Sequence, residues 1–131
     1  MLRSGLTRPR CSSEPSLAKI SEPLPAYSDD HVLPPAQLVH MTHMTRGHVL
    51  AKAAQPAVGL FGALEVEQIA GPLRAGVDYR ARTKVLKFSE SPRTENVWYE
   101  VVFTTKDGAT DLGRVLYLLR FMKGSSPLWA T

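Results

Sequence analysis

Four histidines, His31, His40, His43 and His48, lie close together in the first half of the chain. Histidine ordinarily titrates near neutrality, so a positioned imidazole can take a proton from water and return it. A carbonyl reaction also needs donors for the oxygen that gains charge, and the backbone N–H groups at a helix start supply them. His43 and His48 flank Gly47, where a helix could start and the backbone is accessible. The expected catalytic set is therefore His43 and His48, with Asp30 as carboxylate partner and Gly47 as a backbone contact to ligand. The plain alternative is a set of polar residues on the wet side of a helix.

Other chemistries find less support. His40 and His43 stand at i, i+3 and could share a helix face. The glutamate of an H-E-x-x-H motif is missing, however, so no metal is expected. Arg80, Arg82, Lys84 and Lys87 form a basic row that could hold the phosphates of a ligand, or could simply be a solvated sheet face. Met41, Met44, Val49 and Leu50 could line a pocket and are read as core. There is no nucleophile elbow, Walker loop or G-x-G-x-x-G. Cys11 is the only cysteine, so no internal disulfide can form, and it reads as a free thiol in a tail. A net charge of +4 falls partly on Arg3, Arg8 and Arg10, and no RNA-binding or zinc-finger spacing accompanies it. Nucleic acid is not an expected partner. No apolar run reaches the roughly 20 residues of a membrane span.

The elements that must position these groups follow from periodicity. Residues 1–26 carry Ser and Pro throughout and read as an arm, with Pro15, Pro23 and Pro25 interrupting regular structure. Ser28, Asp29 and Asp30 are N-cap types, and Pro34 and Pro35 suit a first helical turn. From Ala36 the apolar residues recur at three-to-four spacing, which predicts two helices over 35–45 and 47–55, or one kinked at Gly47. In 60–70, Leu64 and Val66 face one way and Glu65 and Glu67 the other. Residues 77–88 alternate similarly, with Tyr79, Ala81, Thr83 and Val85 opposite Arg80, Arg82 and Lys84. Residues 95–105 are dense in aromatic and β-branched types. Lys106, Asp107 and Gly108 make a hairpin turn. Residues 112–122 could coil, but Val115, Tyr117, Leu119 and Phe121 alternate, which favours a fourth strand. One helix must then cover the dry face of an antiparallel meander, an α+β fold. The chain divides into an arm or leader over 1–30, one domain over 31–124 and a tail over 125–131.

This order, with the stretches GALEVEQIAGPLRAGVDYRARTKV and SPRTENVWYEVVFTTKDG, resembles the hotdog fold and, within it, the MaoC-like acyl dehydratase and thioesterase group. The resemblance covers residues 60–122. It implies a curved antiparallel sheet wrapped round a central helix, an acyl-CoA or similar thioester ligand, and a homodimer. Under it, His43 and His48 would serve hydration or hydrolysis of the thioester, and Arg80 and Arg82 would hold phosphates. The hydratases space an Asp and a His about five residues apart before that helix. Here Asp29, Asp30 and His31 are adjacent, and adjacent residues in extended chain point to opposite sides. The hotdog strand that precedes the helix has no convincing counterpart in residues 1–30.

Three functions compete on this reading. The first is an enoyl-CoA hydratase, acyl dehydratase or thioesterase. The second is a non-catalytic dimeric binding or assembly module on the same sheet. The third is a cone-shaped domain of the small isomerase and cyclase kind, whose pocket is left open. A cytoplasmic location is expected. The Arg- and Ser-rich start, with no acid before Glu14, also has the composition of an organellar import leader.

Overall fold

The computed structural model describes residues 21, 24–50 and 58–125, with the backbone alone for 44 and 46–50. A one-turn helix, α1 (Pro25–Ser28), precedes a long helix, α2 (Pro35–Leu50). Four strands follow: β1 (Gly59–Gln68), β2 (Arg80–Glu90), β3 (Thr94–Thr104) and β4 (Asp111–Met122). A short 3-10 turn, Lys123–Ser125, ends the described chain. The sheet order is β1-β4-β3-β2 and every pair is antiparallel. The antiparallel sheet and its covering helix are therefore as the periodicity predicts. The stretch that could have coiled, Asp111–Met122, is a strand at the centre of the sheet. The arm over 1–20, with Cys11, lies outside the described residues, as does the tail from 126.

Two helix expectations change. Pro25, read as a breaker, opens α1, since proline is tolerated at the first helical position. Gly47 does not start or split a helix, because α2 runs through it. A glycine costs roughly 1 kcal/mol in a helix interior, less than the burial of one large apolar side chain. Nor do Ser28, Asp29 and Asp30 cap α2. The carbonyl of Pro34 instead accepts from the Gln37 and Leu38 N–H groups at 2.9 and 3.4 Å.

The dry face of α2 is Leu38, Met41, Thr42 and Thr45, the i, i+3, i+4, i+7 stripe of an amphipathic helix. The two buried hydroxyls are satisfied locally. Thr42 donates to the Val39 carbonyl at 2.6 Å and Thr45 to that of Thr42 at 3.0 Å. The stripe meets the inner face of the sheet, where Ala81, Val97, Tyr99, Val101, Phe103, Val115, Tyr117, Leu119 and Phe121 are buried. The β1–β2 connection plugs one end with Leu73, which is fully buried. This connection is latched to the segment before α2. Leu33 N–H donates to the Leu73 carbonyl and Ala75 N–H to that of His31, both at 2.8 Å, and Val32 bridges Arg74.

Both outer strands carry a bulge. In β1 it falls at Gly62, between the pairs Phe61–Leu119 and Ala63–Leu118. In β2 it falls at Leu86, between Val85–Tyr99 and Lys87–Trp98. An extra residue reverses which side the following residues face. Phe61 therefore shares the inner face with Leu64 and Val66, and Phe88 with Val85 and Ala81. At Gly62 an added Cβ would sit 2.8 Å from Leu118 Cγ, so the bulge needs a residue without a side chain. The β3–β4 turn is as expected. Gly108 takes φ +80°, and the Asp107 carboxylate accepts from the Thr105 hydroxyl at 2.6 Å and the Ala109 N–H at 3.0 Å.

Candidate functional site

Register builds an aromatic ladder across the inner face. Tyr99 on β3 pairs directly with Tyr117 on β4, and their rings stack at 5.2 Å and 20°. Phe61 on β1 meets Tyr117 edge-on at 5.4 Å and 85°, a favourable ring arrangement. Tyr99 and Tyr117 are buried, whereas Phe61 is 59% exposed. The ladder thus runs from the core to the open edge of the sheet.

Helix α2 sets His43 over this ladder. Its imidazole lies 6.1 Å from the Tyr117 ring in an edge-on contact, and the His40 ring lies 6.1 Å from the His43 ring. His43 is solvent-exposed. An exposed imidazole beside a buried apolar floor, next to an exposed phenyl ring at a sheet edge, is the described arrangement best suited to chemistry. Water can reach both the imidazole and the phenyl ring. Among the described residues no three potential metal ligands gather.

The other expected site residues stand elsewhere. Asp30 precedes α2, and His43 lies eight residues into that helix, about 12 Å along its axis at 1.5 Å per residue. His31 beside Asp30 takes φ +56°, the left-handed region, and its carbonyl is engaged by Ala75. Gly47 sits inside α2, where its N–H belongs to the helical ladder. The His48 side chain lies outside the described residues. Arg80 and Arg82 are on the outer face, opposite to His43, because Ala81 between them points into the core. Arg82 reaches Asp111 at 3.4 Å, and Arg80 lies beside the turn that holds Asp107.

Charge on the outer face is divided. Arg114 on β4 bonds Glu100 at 2.8 Å and lies 3.6 and 4.0 Å from Glu67 and Glu65. The hydrogen bond to Glu100 is the main reason its guanidinium is held even more firmly protonated than usual. At the far end of β2, Lys123 pairs with Glu90 at 2.9 Å, and that hydrogen bond holds the Glu90 carboxyl below its usual range. A cavity of about 560 Å³ opens at that end, lined by Phe88, Ser89, Glu90, Glu95 and Asn96. Its carboxylates make it a poor seat for phosphates.

Sequence reasoning missed Phe61, Tyr99 and Tyr117 as site residues. The only signal for Tyr117 was the alternation of the last strand. The ladder needs the register of three strands, and Phe61 reaches it only through the bulge.

No family model matches the sequence, and no curated protein matches it. Solved structures do match. The (3R)-hydroxyacyl-ACP dehydratase complex HadBC of Mycobacterium tuberculosis is similar at TM-score 0.63 and 14% identity, over 92% of this chain and 97% of that one. A thioesterase of Thermus thermophilus, solved with coenzyme A and Zn, gives 0.64 and 12% over 95% and 90%. The ChsH1–ChsH2 complex of Mycobacterium tuberculosis gives 0.64 and 14% over 95% and 86%. The chain has the hotdog fold. That sets aside the cone-shaped alternative, whose sheet would leave its hollow open. No helix among the described residues is long and apolar enough to cross a membrane.

Proposed function

We propose that this chain is an acyl-thioester-binding hotdog domain that works as a homodimer. The acyl group lies against Phe61 and Tyr117, and His43 is the base that activates water for hydration or hydrolysis. The observation that carries this reading is the exposed His43 imidazole, edge-on to Tyr117 at the open end of the ladder. The dehydratase and thioesterase neighbours support the ligand class, since their fold is shared. His48, one turn beyond, remains a second candidate for the same proton transfer, with Gly47 as a backbone contact. Asp30 acts as carboxylate partner only if a second subunit brings it near. Arg80 and Arg82 serve a ligand only where its phosphate end passes over the outer face. The protein is not expected to need a nucleic-acid or membrane partner.

The test is a panel of enoyl-CoA and acyl-CoA substrates of several chain lengths. Turnover that falls at least a hundredfold in His43→Ala, with the helix signal in circular dichroism unchanged, is the expected result. A protein inert towards the whole panel would sink it.

A second reading has its own observation. Asp30 lies outside α2 while His43 lies eight residues into it, and no helix start lies at Gly47. These placements support a non-catalytic binding or assembly module on the same sheet. Binding of acyl-CoA without turnover would favour it.

A further inference from the structure

The β2–β3 hairpin ends in a hollow that the acyl site does not use. Phe61, Leu119, Val97 and Phe88 form one row across the inner face, each the direct partner of the next. Phe61 and the acyl site stand at one end of that row. Phe88 stands at the other, three strand spacings or about 14 Å away. The cavity of about 560 Å³ opens at the Phe88 end, and its volume suits a small organic molecule.

One part of the cavity wall is apolar and another is anionic. Phe88 is largely exposed, although its partner Val97 is buried. The next inner-face pair along the hairpin sets Glu90 opposite Glu95. Two carboxylates directly opposite each other are destabilising, and a nearby cation relieves them. Lys123 supplies one to Glu90, at 2.9 Å. Among the described residues no ion pair reaches Glu95. Glu95 is half-buried, with Phe121 directly opposite on β4 and Phe88 diagonal to it on β2. It is a carboxylate drawn partly out of water, between two aromatic residues and without a cation of its own. The hairpin end is held in shape by its own side chains. Asn96 Nδ2 donates to Ser89 Oγ at 3.4 Å, and Asn96 Oδ1 accepts from the Thr94 hydroxyl at 3.1 Å. Ser91 Oγ accepts from the Thr94 N–H at 3.1 Å. These contacts tie β2 to β3 and leave the Phe88 ring and the Glu95 carboxylate to meet a guest.

We propose that this cavity binds an organic cation, an ammonium group on a small apolar body. The ammonium donates a charge-assisted hydrogen bond to Glu95, and the face of Phe88 attracts the same charge. The apolar body covers the ring that water now touches. The guest relieves the opposed carboxylates from the Glu95 side as Lys123 does from the Glu90 side. The Glu90–Glu95 pair refuses an anion. A bare metal ion is poorly served, since no three potential metal ligands gather among the described residues. The site is separate from the His43–Tyr117–Phe61 arrangement and does not depend on the chemistry proposed there.

The probe is phenethylammonium, titrated into the whole chain and followed by the NMR shifts of backbone amides. Its comparator is 2-phenylethanol, which has nearly the same shape and no charge. Saturable shifts centred on residues 88–96 are expected with the amine, and binding at least about tenfold weaker with the alcohol. Glu95→Gln keeps the size of the side chain and should weaken the amine at least about tenfold. Phe88→Leu should weaken it about threefold, the share of the ring. Glu65→Gln, on the outer face of β1, should change nothing. Added salt should weaken the amine and spare the alcohol. No saturable shift at residues 88–96 with amine up to roughly 10 mM would overturn the proposal. So would an alcohol that binds as tightly as the amine, or a Glu95→Gln protein that binds like wild type. If Glu95→Gln does not fold, the amine and alcohol on the wild-type protein decide the question by themselves.

Discussion

The two edges of the sheet are built to opposite ends. On β2, Arg80, Arg82, Lys84 and Lys87 lie along the strand, and the bulge is made by Leu86. On β1 the strand has no cation, and the bulge is made by a glycine that leaves no room for a side chain. Both bulges turn a phenylalanine to the inner face, Phe61 at 59% and Phe88 at 66% exposure. Exposure of one large ring is therefore no guide by itself. What separates the edges is charge: a lysine or arginine row opposes another strand, whereas an apolar strand without cations invites one.

The sharpest way to break this comparison is to move the charge. Phe61→Lys places a cation on the apolar edge of β1, the edge open to a second copy in the proposed homodimer. We predict that it weakens association at least about a hundredfold, since burying a Phe stabilises by roughly 1.5–3 kcal/mol and two copies lose it. Phe88→Lys on the other edge should leave the mass unchanged in a light-scattering dilution series. The bulges give the next effect. Gly62→Ala meets Leu118 at 2.8 Å and should cost about 1–3 kcal/mol in denaturant unfolding, the usual penalty of overpacking. Leu86→Ala, 44% exposed, should stay within about 0.5 kcal/mol. Equal costs at the two sites would remove the distinction.

How far the sequence disclosed this follows from the range of each signal. Alternation is local, so Leu64 and Val66, the row from Tyr79 to Val85, and the strand through Val115 and Phe121 were legible with their faces correct. The Asp107-Gly108 turn was legible because positive φ selects glycine. A bulge leaves no such mark. Strict alternation puts Phe61 on the side of Glu65, and only the pairing with Leu119 shows otherwise. The Tyr99–Tyr117–Phe61 ladder depends on register between strands, which no single segment encodes. The histidines were visible as residues, but their value was not. His43 reaches the ladder because Leu38, Met41, Thr42 and Thr45 fix the rotation of α2. Gly47 suggests a helix start by its residue type, but α2 starts at Pro35 and simply tolerates the glycine.

Smaller effects sharpen the charge side of the comparison. Arg114 and Glu100 are 28% and 21% exposed and share a 2.8 Å hydrogen bond, so Arg114→Ala should cost about 1 kcal/mol. Arg82 and Asp111, at 53% and 45% exposure and 3.4 Å, form an ordinary surface pair. Arg82→Ala should cost about 0–0.5 kcal/mol, and less as salt is added.

The smallest effect is a pH dependence at the turn beside Arg80. The Thr105 hydroxyl, then the Ala109 N–H, hold the Asp107 carboxyl below its ordinary value, and the charge of Arg80 adds slightly. A carboxyl depressed in the folded state stabilises above its unfolded pKa, and that contribution is lost as pH falls through the folded one. Asn at this position keeps an acceptor oxygen but not the charge. The gap in unfolding midpoint between wild type and Asp107→Asn should therefore be open at neutral pH and close as pH drops below the carboxylate range. Arg80→Ala should narrow that gap without abolishing it, because the hydrogen bonds and not the β2 cation are its main cause. A gap that persisted undiminished into strong acid would show that the turn depends on the shape of Asp107 rather than on its charge.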